Sequence, residues 1–274
     1  MQGGYDVAED ERLERLRAIL HRLESALVAF SGGVDSTLLL KVAGDVLGDR
    51  VVAVTAESET CTAFELRDAE TFCREQDIRH EVVHTDELSL PAFTENSPER
   101  CYHCKKERFG QLRQMADRLG LEYVIDGTNA DDASDYRPGT RAAEELGVRS
   151  PLQEAGLGKA DIRELSKQLG LPTWDRPSYA CLASRIPYGT AITPEVLAMV
   201  GRAEEVLREL GFRQCRVRHH APVARIELPP EEFEEAVEQT VRERIVARLK
   251  RIGYAYVTLD LQGYRTGSMN ETLA

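Results

Sequence analysis

The stretch Phe30–Leu40, "FSGGVDSTLLL", decides the fold. A short apolar run, Ala26–Phe30, leads into Ser31-Gly32-Gly33-Val34-Asp35-Ser36, and a helical pattern from Ser36 to Leu47 follows at once. Two glycines let a backbone approach an anion closely. The start of a helix turns N–H groups and a positive partial charge toward it. Ser31 and Ser36 add hydroxyl donors. Asp35 cannot bind phosphate directly, so its expected task is to hold Mg²⁺ or orient the backbone. No Lys follows the glycines, so this is not the Walker loop G-x-x-x-x-G-K-[ST]. A plain turn with Ser36 or Asp35 as N-cap would use the same residues; the strand–loop–helix context favours a phosphate loop.

Working outward, residues 10–24 carry leucines at helical spacing. "RVVAVTAE" predicts a second strand, Thr62–Glu75 a helix and "HEVVHTD" a third strand. Tyr102–Leu119 reads as a helix, and "EYVIDGTNADD" as a fourth strand with a polar loop at its end. Strands alternating with helices imply βαβ units and a parallel sheet, with ligands beyond the carboxyl ends of the strands. Pro172–Gly189 has no clean period and reads as a long loop of functional kind. Beyond it lie a helix (Pro194–Leu210), a hairpin ("QCRVRHHAPVARIEL"), a charged helix (Pro230–Arg251) and a last strand ("YAYVTLDLQ"). The expected fold is α/β, a parallel twisted sheet over residues 1–187, with a smaller α+β domain over 188–274.

Hydrophobic residues make up 42% of the 274, enough for a sizeable core. Lys plus Arg number 35 against 47 Asp plus Glu, a formal net charge of −12. So acidic a surface argues against a broad nucleic-acid footprint. The first residues lack a basic segment followed by an apolar one, and no apolar run approaches a membrane span. The expected location is the cytoplasm, where six cysteines are reduced, metal-binding or catalytic rather than paired.

The hexapeptide SGGVDS after a first strand resembles the PP-loop of the ATP pyrophosphatases (adenine nucleotide alpha hydrolase-like fold). "DGTNADD" (Asp126–Asp132) fits the end of the fourth strand of that fold. "RPSYACLASRIPYGTAITPE" (Arg176–Glu195) and "LDLQGYRTGSMNE" (Leu259–Glu271) narrow the resemblance to the LarE-type sulfurtransferases. These act on pyridinium-3,5-biscarboxylic acid mononucleotide in nickel-pincer cofactor biosynthesis. The resemblance implies that ATP adenylates a ring carboxylate, pyrophosphate leaves, and a sulfur nucleophile displaces AMP to give a thiocarboxylate. It assigns ATP and Mg²⁺ to Ser31, Gly32, Gly33, Val34, Asp35, Ser36, Asp126, Gly127 and Thr128. Arg216 and Arg218 are expected to hold the substrate phosphate; solvated strand charge is the plainer reading. The family forms hexamers, so a homo-oligomer is expected.

Cys181 is the cysteine of "CLASR", the sulfur-handling residue of the family, and Arg185 is placed to lower its pKa or grip a phosphate. In one branch that cysteine gives up its own sulfur. In the other, three cysteines hold a [4Fe-4S] cluster whose open iron carries a hydrosulfide, supplied as sulfide or by a sulfur donor. Cys101 and Cys104, a C-x-x-C pair, make Cys181 a third ligand. Structural zinc with His103, a dithiol pair and an inert pair remain open for the same spacing. Cys73 and Cys215 read as small buried hydrophobes, Cys61 has no assignment, and Trp174 reads as core or loop anchor. A tRNA thiolase and a non-catalytic nucleotide sensor or cluster carrier are the competing functions.

Overall fold

The computed structural model describes residues 10–61, 63–134, 138–177, 180–265 and 268. It divides into two compact units: Met1–Asp86 with Cys101–Tyr179, and Glu87–Arg100 with Ala180–Ala274. Thr62, Ser178, Tyr179 and most of Thr266–Glu271, which carry parts of the motifs above, lie outside the described residues.

The first unit runs α1 (Glu11–His21), β1 (Ala26–Ala29), α2 (Val34–Leu47), β2 (Val51–Glu57), α3 (Ala63–Glu75) and β3 (His80–His84). A short helix of the second unit, α4 (Pro91–Thr94), intervenes. The first unit then continues along α5 (Arg100–Leu119), β4 (Tyr123–Ile125), α6 (Pro138–Glu145), α7 (Pro151–Glu154) and α8 (Lys159–Gln168). The four strands form a parallel sheet in the order β3-β2-β1-β4. Val28 stands beside Ala53 on one side and Ile125 on the other.

Alternation along the strands sends side chains to two separate cores. Ala26, Val28, Val51 and Ala53 join the leucines of α1 and α2, with Ile162 and Leu165 of α8. Leu27, Val52 and Val54 face Phe109, Leu112 and Ala116 of α5. Both faces are covered, which is why these strands read as continuous apolar runs. β1 is flanked by β2 and β4, so the chain reverses its direction of winding between β1 and β4. Ligands of open α/β sheets bind outside the carboxyl ends of the strands at such a point.

The second unit holds α9 (Pro194–Glu209), β5 (Arg216–His220), β6 (Val223–Glu227), α10 (Phe233–Val237), α11 (Gln239–Ile252) and β7 (Tyr256–Leu259). β5 and β6 form the expected hairpin and β7 adds in parallel to β6. The sheet shares a core with α9 and α11 through Val217, Ile226, Leu207 and Leu249. The single helix expected over Pro230–Arg251 is broken. Glu238 leaves helical geometry (φ −52°, ψ 139°), and its carboxylate accepts from the Val241 N–H at 3.0 Å. That is an N-cap, and it starts a new helix. Among the described residues no helix is long and apolar enough to cross a membrane.

Candidate active site

The loop between β1 and α2 is built as an anion cradle. Gly32 sits at φ +70°, a conformation that favours glycine. Gly33 is the N-cap of α2, and the first intrahelical bond runs from the Thr37 N–H to the Gly33 carbonyl (2.9 Å). The N–H groups of Val34, Asp35 and Ser36 therefore precede the helical ladder. The Ser36 hydroxyl accepts from the Ser31 N–H (3.3 Å), donates to the Gly33 carbonyl (3.2 Å) and touches the Ser31 hydroxyl (3.1 Å). Arg176 secures the turn from outside: it donates to the Gly32 carbonyl (3.0 Å) and pairs with Asp68 (2.6 Å).

The β4 exit lies directly against this helix start. A Cβ on Gly127 would stand 3.0 Å from the Ser36 nitrogen and 3.2 Å from its Cα. Asp126 is buried, and its carboxylate accepts from the Thr128 N–H (3.1 Å), the Thr128 hydroxyl (2.8 Å) and the Ser150 hydroxyl (2.7 Å). Its observed role is to shape the loop.

The Asp35 carboxylate is engaged from two sides. Its two oxygens meet Lys159 Nζ at 2.5 Å and Asn129 Nδ2 at 3.3 Å. Lys159 begins α8, and its N–H donates to Asp131 (2.7 Å). A lysine thus stands beside the phosphate loop, delivered from 124 residues away. Sequence reading missed it because nothing local marks it. The only signal is a Gly-Lys step opening an amphipathic run.

These elements enclose a cavity of about 410 Å³. Ser31, Ser36, Asp126, Gly127 and Thr128 line one part of it. Phe30, Val54, Leu66, Phe109 and Leu112 give it an apolar wall, and Lys105 and Arg108 of α5 bring two cations. Apolar walls with a few convergent polar groups are the usual make-up of a small-molecule site. Cys61 also lines this cavity, half-buried, its thiol 3.7 Å from the Ala56 carbonyl.

Cys101 and Cys104 occupy the first turn of α5, one exposed and one buried. Being three residues apart, they share a helix face. The same helix carries the cavity-lining Lys105, Arg108 and Phe109. The ring of His103 packs edge-on against Tyr102. Cys73 and Cys215 are buried, and desolvation pushes each thiol up to about 12. Among the described residues, no three or more His, Cys, Asp or Glu side chains are grouped as around a metal ion.

In the second unit, Cys181 is exposed and opens a 3-10 turn, Leu182–Arg185. Arg185 does not reach for a ligand. It is 1% exposed and forks onto Glu204 (2.7 and 2.9 Å). Its remaining amino group donates to the carbonyls of Ala180 (2.6 Å) and Cys181 (3.1 Å) and to the Ser184 hydroxyl (3.0 Å). It therefore fixes the backbone of the Cys181 turn, and the expected phosphate contact gives way to that role. The same turn is tied elsewhere. Arg100 donates to the Ala183 carbonyl (2.9 Å) and to Asn96 (2.5 Å), and the buried Asn96 amide donates to the carbonyls of Pro187 and Thr190 (both 2.8 Å).

Arg218 is likewise engaged. It forks onto the fully buried Glu227 (3.0 and 2.8 Å) and donates to the Ser184 carbonyl and the Ser268 hydroxyl (both 2.8 Å). Arg216 is buried, donates to the Cys215 carbonyl (2.8 Å) and lies over the Tyr264 ring at 5.1 Å. Burial first, then the Arg185 charge, push its pKa down. Both arginines are interior, 4% and 5% exposed, so the alternative of solvated strand charges does not hold. Trp174 is a surface ring, with Lys167 Nζ 4.7 Å from its centroid.

Comparison with known proteins agrees with this geometry. Residues 25–105 match the model of the queuosine biosynthesis protein QueC family. The chain is 49% identical over 264 residues to an uncharacterized protein of Synechocystis, covering 96% of this chain and 98% of that protein. It is 43% identical over 259 residues to the pyridinium-3,5-bisthiocarboxylic acid mononucleotide synthase of Lactiplantibacillus plantarum, covering 94% and 93%. A tRNA-specific 2-thiouridylase of Xanthobacter autotrophicus is 27% identical over 55% of this chain and 48% of its own. With a phosphate loop at the winding reversal of a parallel sheet and this likeness over nearly the whole chain, the protein belongs to the LarE family of PP-loop, ATP-using sulfurtransferases.

Proposed function

We propose that the protein adenylates a carboxylate of pyridinium-3,5-biscarboxylic acid mononucleotide with ATP and converts it to a thiocarboxylate, a step of nickel-pincer cofactor biosynthesis. The observation that carries this reading is α5: one helix bears the Cys101/Cys104 pair on its first turn and, from the next residue onward, lines the phosphate-loop cavity. A sulfur-handling pair and a nucleotide site on one rigid element suit a transfer between them. The relative from Lactiplantibacillus plantarum supports the acceptor by its name.

In this reading Ser31, Gly32, Gly33, Val34 and Ser36 hold the triphosphate, with N–H groups and hydroxyls facing the departing pyrophosphate. The acceptor carboxylate oxygen bonds to the α-phosphorus as the bond to pyrophosphate breaks. Mg²⁺ fits Asp35, a part-exposed carboxylate at the loop; the ion and the Lys159 ammonium compete for it. A hydrosulfide then bonds to the acyl carbon as the bond to AMP breaks. Thiolate and hydrosulfide are strong nucleophiles near neutral pH.

A [4Fe-4S] cluster on Cys101, Cys104 and Cys181 would supply an exchangeable hydrosulfide. Thiolates are the ligand type such a cluster takes, and no disulfide engages these cysteines. The same reading includes a cytoplasmic homo-oligomer with no nucleic-acid partner, which light scattering and a tRNA titration check.

The test is made on anaerobically purified protein. Pyrophosphate release should require both ATP and the pyridinium dicarboxylate; release indifferent to the latter overturns the acceptor. Iron and sulfide should be lost in Cys101→Ala, and undiminished iron overturns the ligand set. An intact mass short of one sulfur after turnover replaces the cluster with sacrifice of Cys181.

A further inference from the structure

Lys105 stands out within the cavity. It follows Cys104 directly on α5, and its side chain lines the space that the phosphate loop opens into. Its stem runs across bare backbone: a Cβ on Gly139 of α6 would lie 2.5 Å from Lys105 Cδ, 3.1 Å from Cε and 3.2 Å from Cγ. Its ammonium lies 5.6 Å from the centre of the Phe109 ring. Among the described residues no carboxylate pairs with it. The stem is held by shape while the charge is left for something else.

The proposed reaction, on which this inference rests, sets that charge a task. A carboxylate must come into contact with a triphosphate in a cavity with apolar walls, and like charges resist this. The loop's N–H groups serve the phosphates. Lys105 enters from another wall, from the helix that bears the thiol pair. The sulfur nucleophile must reach the acyl carbon, so the acceptor lies between that pair and the phosphate loop.

We propose that Lys105, steered by the gap at Gly139, is the residue that binds the acceptor's carboxylate beside the nucleotide. An ammonium is a compact charge with three rotatable donors. It can keep hold of a carboxyl group whose second oxygen is being transferred to phosphorus. Holding the stem beforehand reduces the ordering needed on binding.

Isothermal titration separates the ligands. ATP and pyridinium-3,5-biscarboxylic acid mononucleotide are titrated singly into the full-length wild type, Lys105→Met, Lys105→Arg and Gly139→Ala. Lys105→Met should weaken the dicarboxylate about 10–100-fold, the range of a charged hydrogen bond, and ATP by less than about 3-fold. Lys105→Arg should restore part of the loss. Gly139→Ala keeps the charge and displaces a flexible stem, so it should weaken the same ligand to an intermediate degree. Unchanged dicarboxylate binding in Lys105→Met overturns the inference. An equal or larger loss for ATP also overturns it, since the ammonium would then serve the phosphates. A wild type that binds ATP but not the dicarboxylate overturns the proposed acceptor itself and this inference with it.

Discussion

Glu204→Gln tests how the Cys181 turn is held. Arg185 and Glu204 are 1% and 2% exposed and meet through two hydrogen bonds, while the Glu204 carboxylate also accepts from the Val217 N–H at 3.1 Å. Burial is the largest single influence and would raise the Glu204 pKa; the Arg185 charge and hydrogen bonds, the Arg216 charge and the Val217 N–H together outweigh it, and the shift is downward. Glutamine keeps the shape and removes the countercharge. Arg185 cannot shed its proton, so it is left as an uncompensated interior cation. Breaking a buried pair from one side costs about 3–5 kcal/mol. At about 2–4 °C per kcal/mol, the melting temperature should fall by roughly 6–20 °C. Differential scanning calorimetry reads this directly. The double variant Arg185→Met/Glu204→Leu should regain most of the stability, because apolar replacement of a buried pair is often neutral. It should not regain sulfur transfer, because the carbonyls of Ala180 and Cys181 lose their donor. A Glu204→Gln transition within about 2 °C of wild type, or a fully active double variant, would refute the reasoning.

Gly127→Ala should weaken ATP binding at least ~10-fold by titration, because its Cβ meets the Ser36 backbone at 3.0 Å. Gly44→Ala is the control: its Cβ meets only the tip of Ile78, and stability should change by no more than about 1 kcal/mol. Lys159→Met leaves Asp35 with Asn129 alone, and pyrophosphate release should drop ~10-fold or more. Its melting temperature should stay near wild type, because the pair is part-exposed (side chains 32% and 21%). His80, His219 and His220 all have pKa values lowered chiefly by burial. Below about pH 6.5 the unfolded chain takes up protons that these rings resist, so stability is full above that pH and declines as pH falls through it. The urea midpoint at pH 5.5 should lie below that at pH 7.5, and a higher midpoint in acid contradicts the assignment.

The phosphate loop and the βαβ alternation were legible because both are local: glycines, a cap and a period of two or 3.6 residues. What escaped the sequence was partnership at long range. Arg216 and Arg218 sit on one strand, as alternation predicts. The hairpin register sets Arg216 opposite Glu227 and Arg218 opposite Arg225, yet it is Arg218 that reaches diagonally to the Glu227 carboxylate. Lys159 escaped because its meaning comes from folding α8 against the loop. Arg185 looked like a ligand contact because an arginine near a reactive cysteine usually suggests one; burial against Glu204 made it a brace. Segment Glu87–Arg100 joining the second unit leaves no mark in composition.

The position of Cys61 has a practical consequence. Its thiol lines the phosphate-loop cavity, where the proposed function seats the nucleotide, whereas Cys101 and Cys181 are exposed. In protein stripped of any cluster, a small alkylating reagent should label those two whether or not nucleotide is bound, and should reach Cys61 only while the cavity is open. The ratio of Cys61 modification to that of the exposed pair, read by peptide mass, is an internal gauge of occupancy. It needs no foreign dye, no radioactive nucleotide and no turnover.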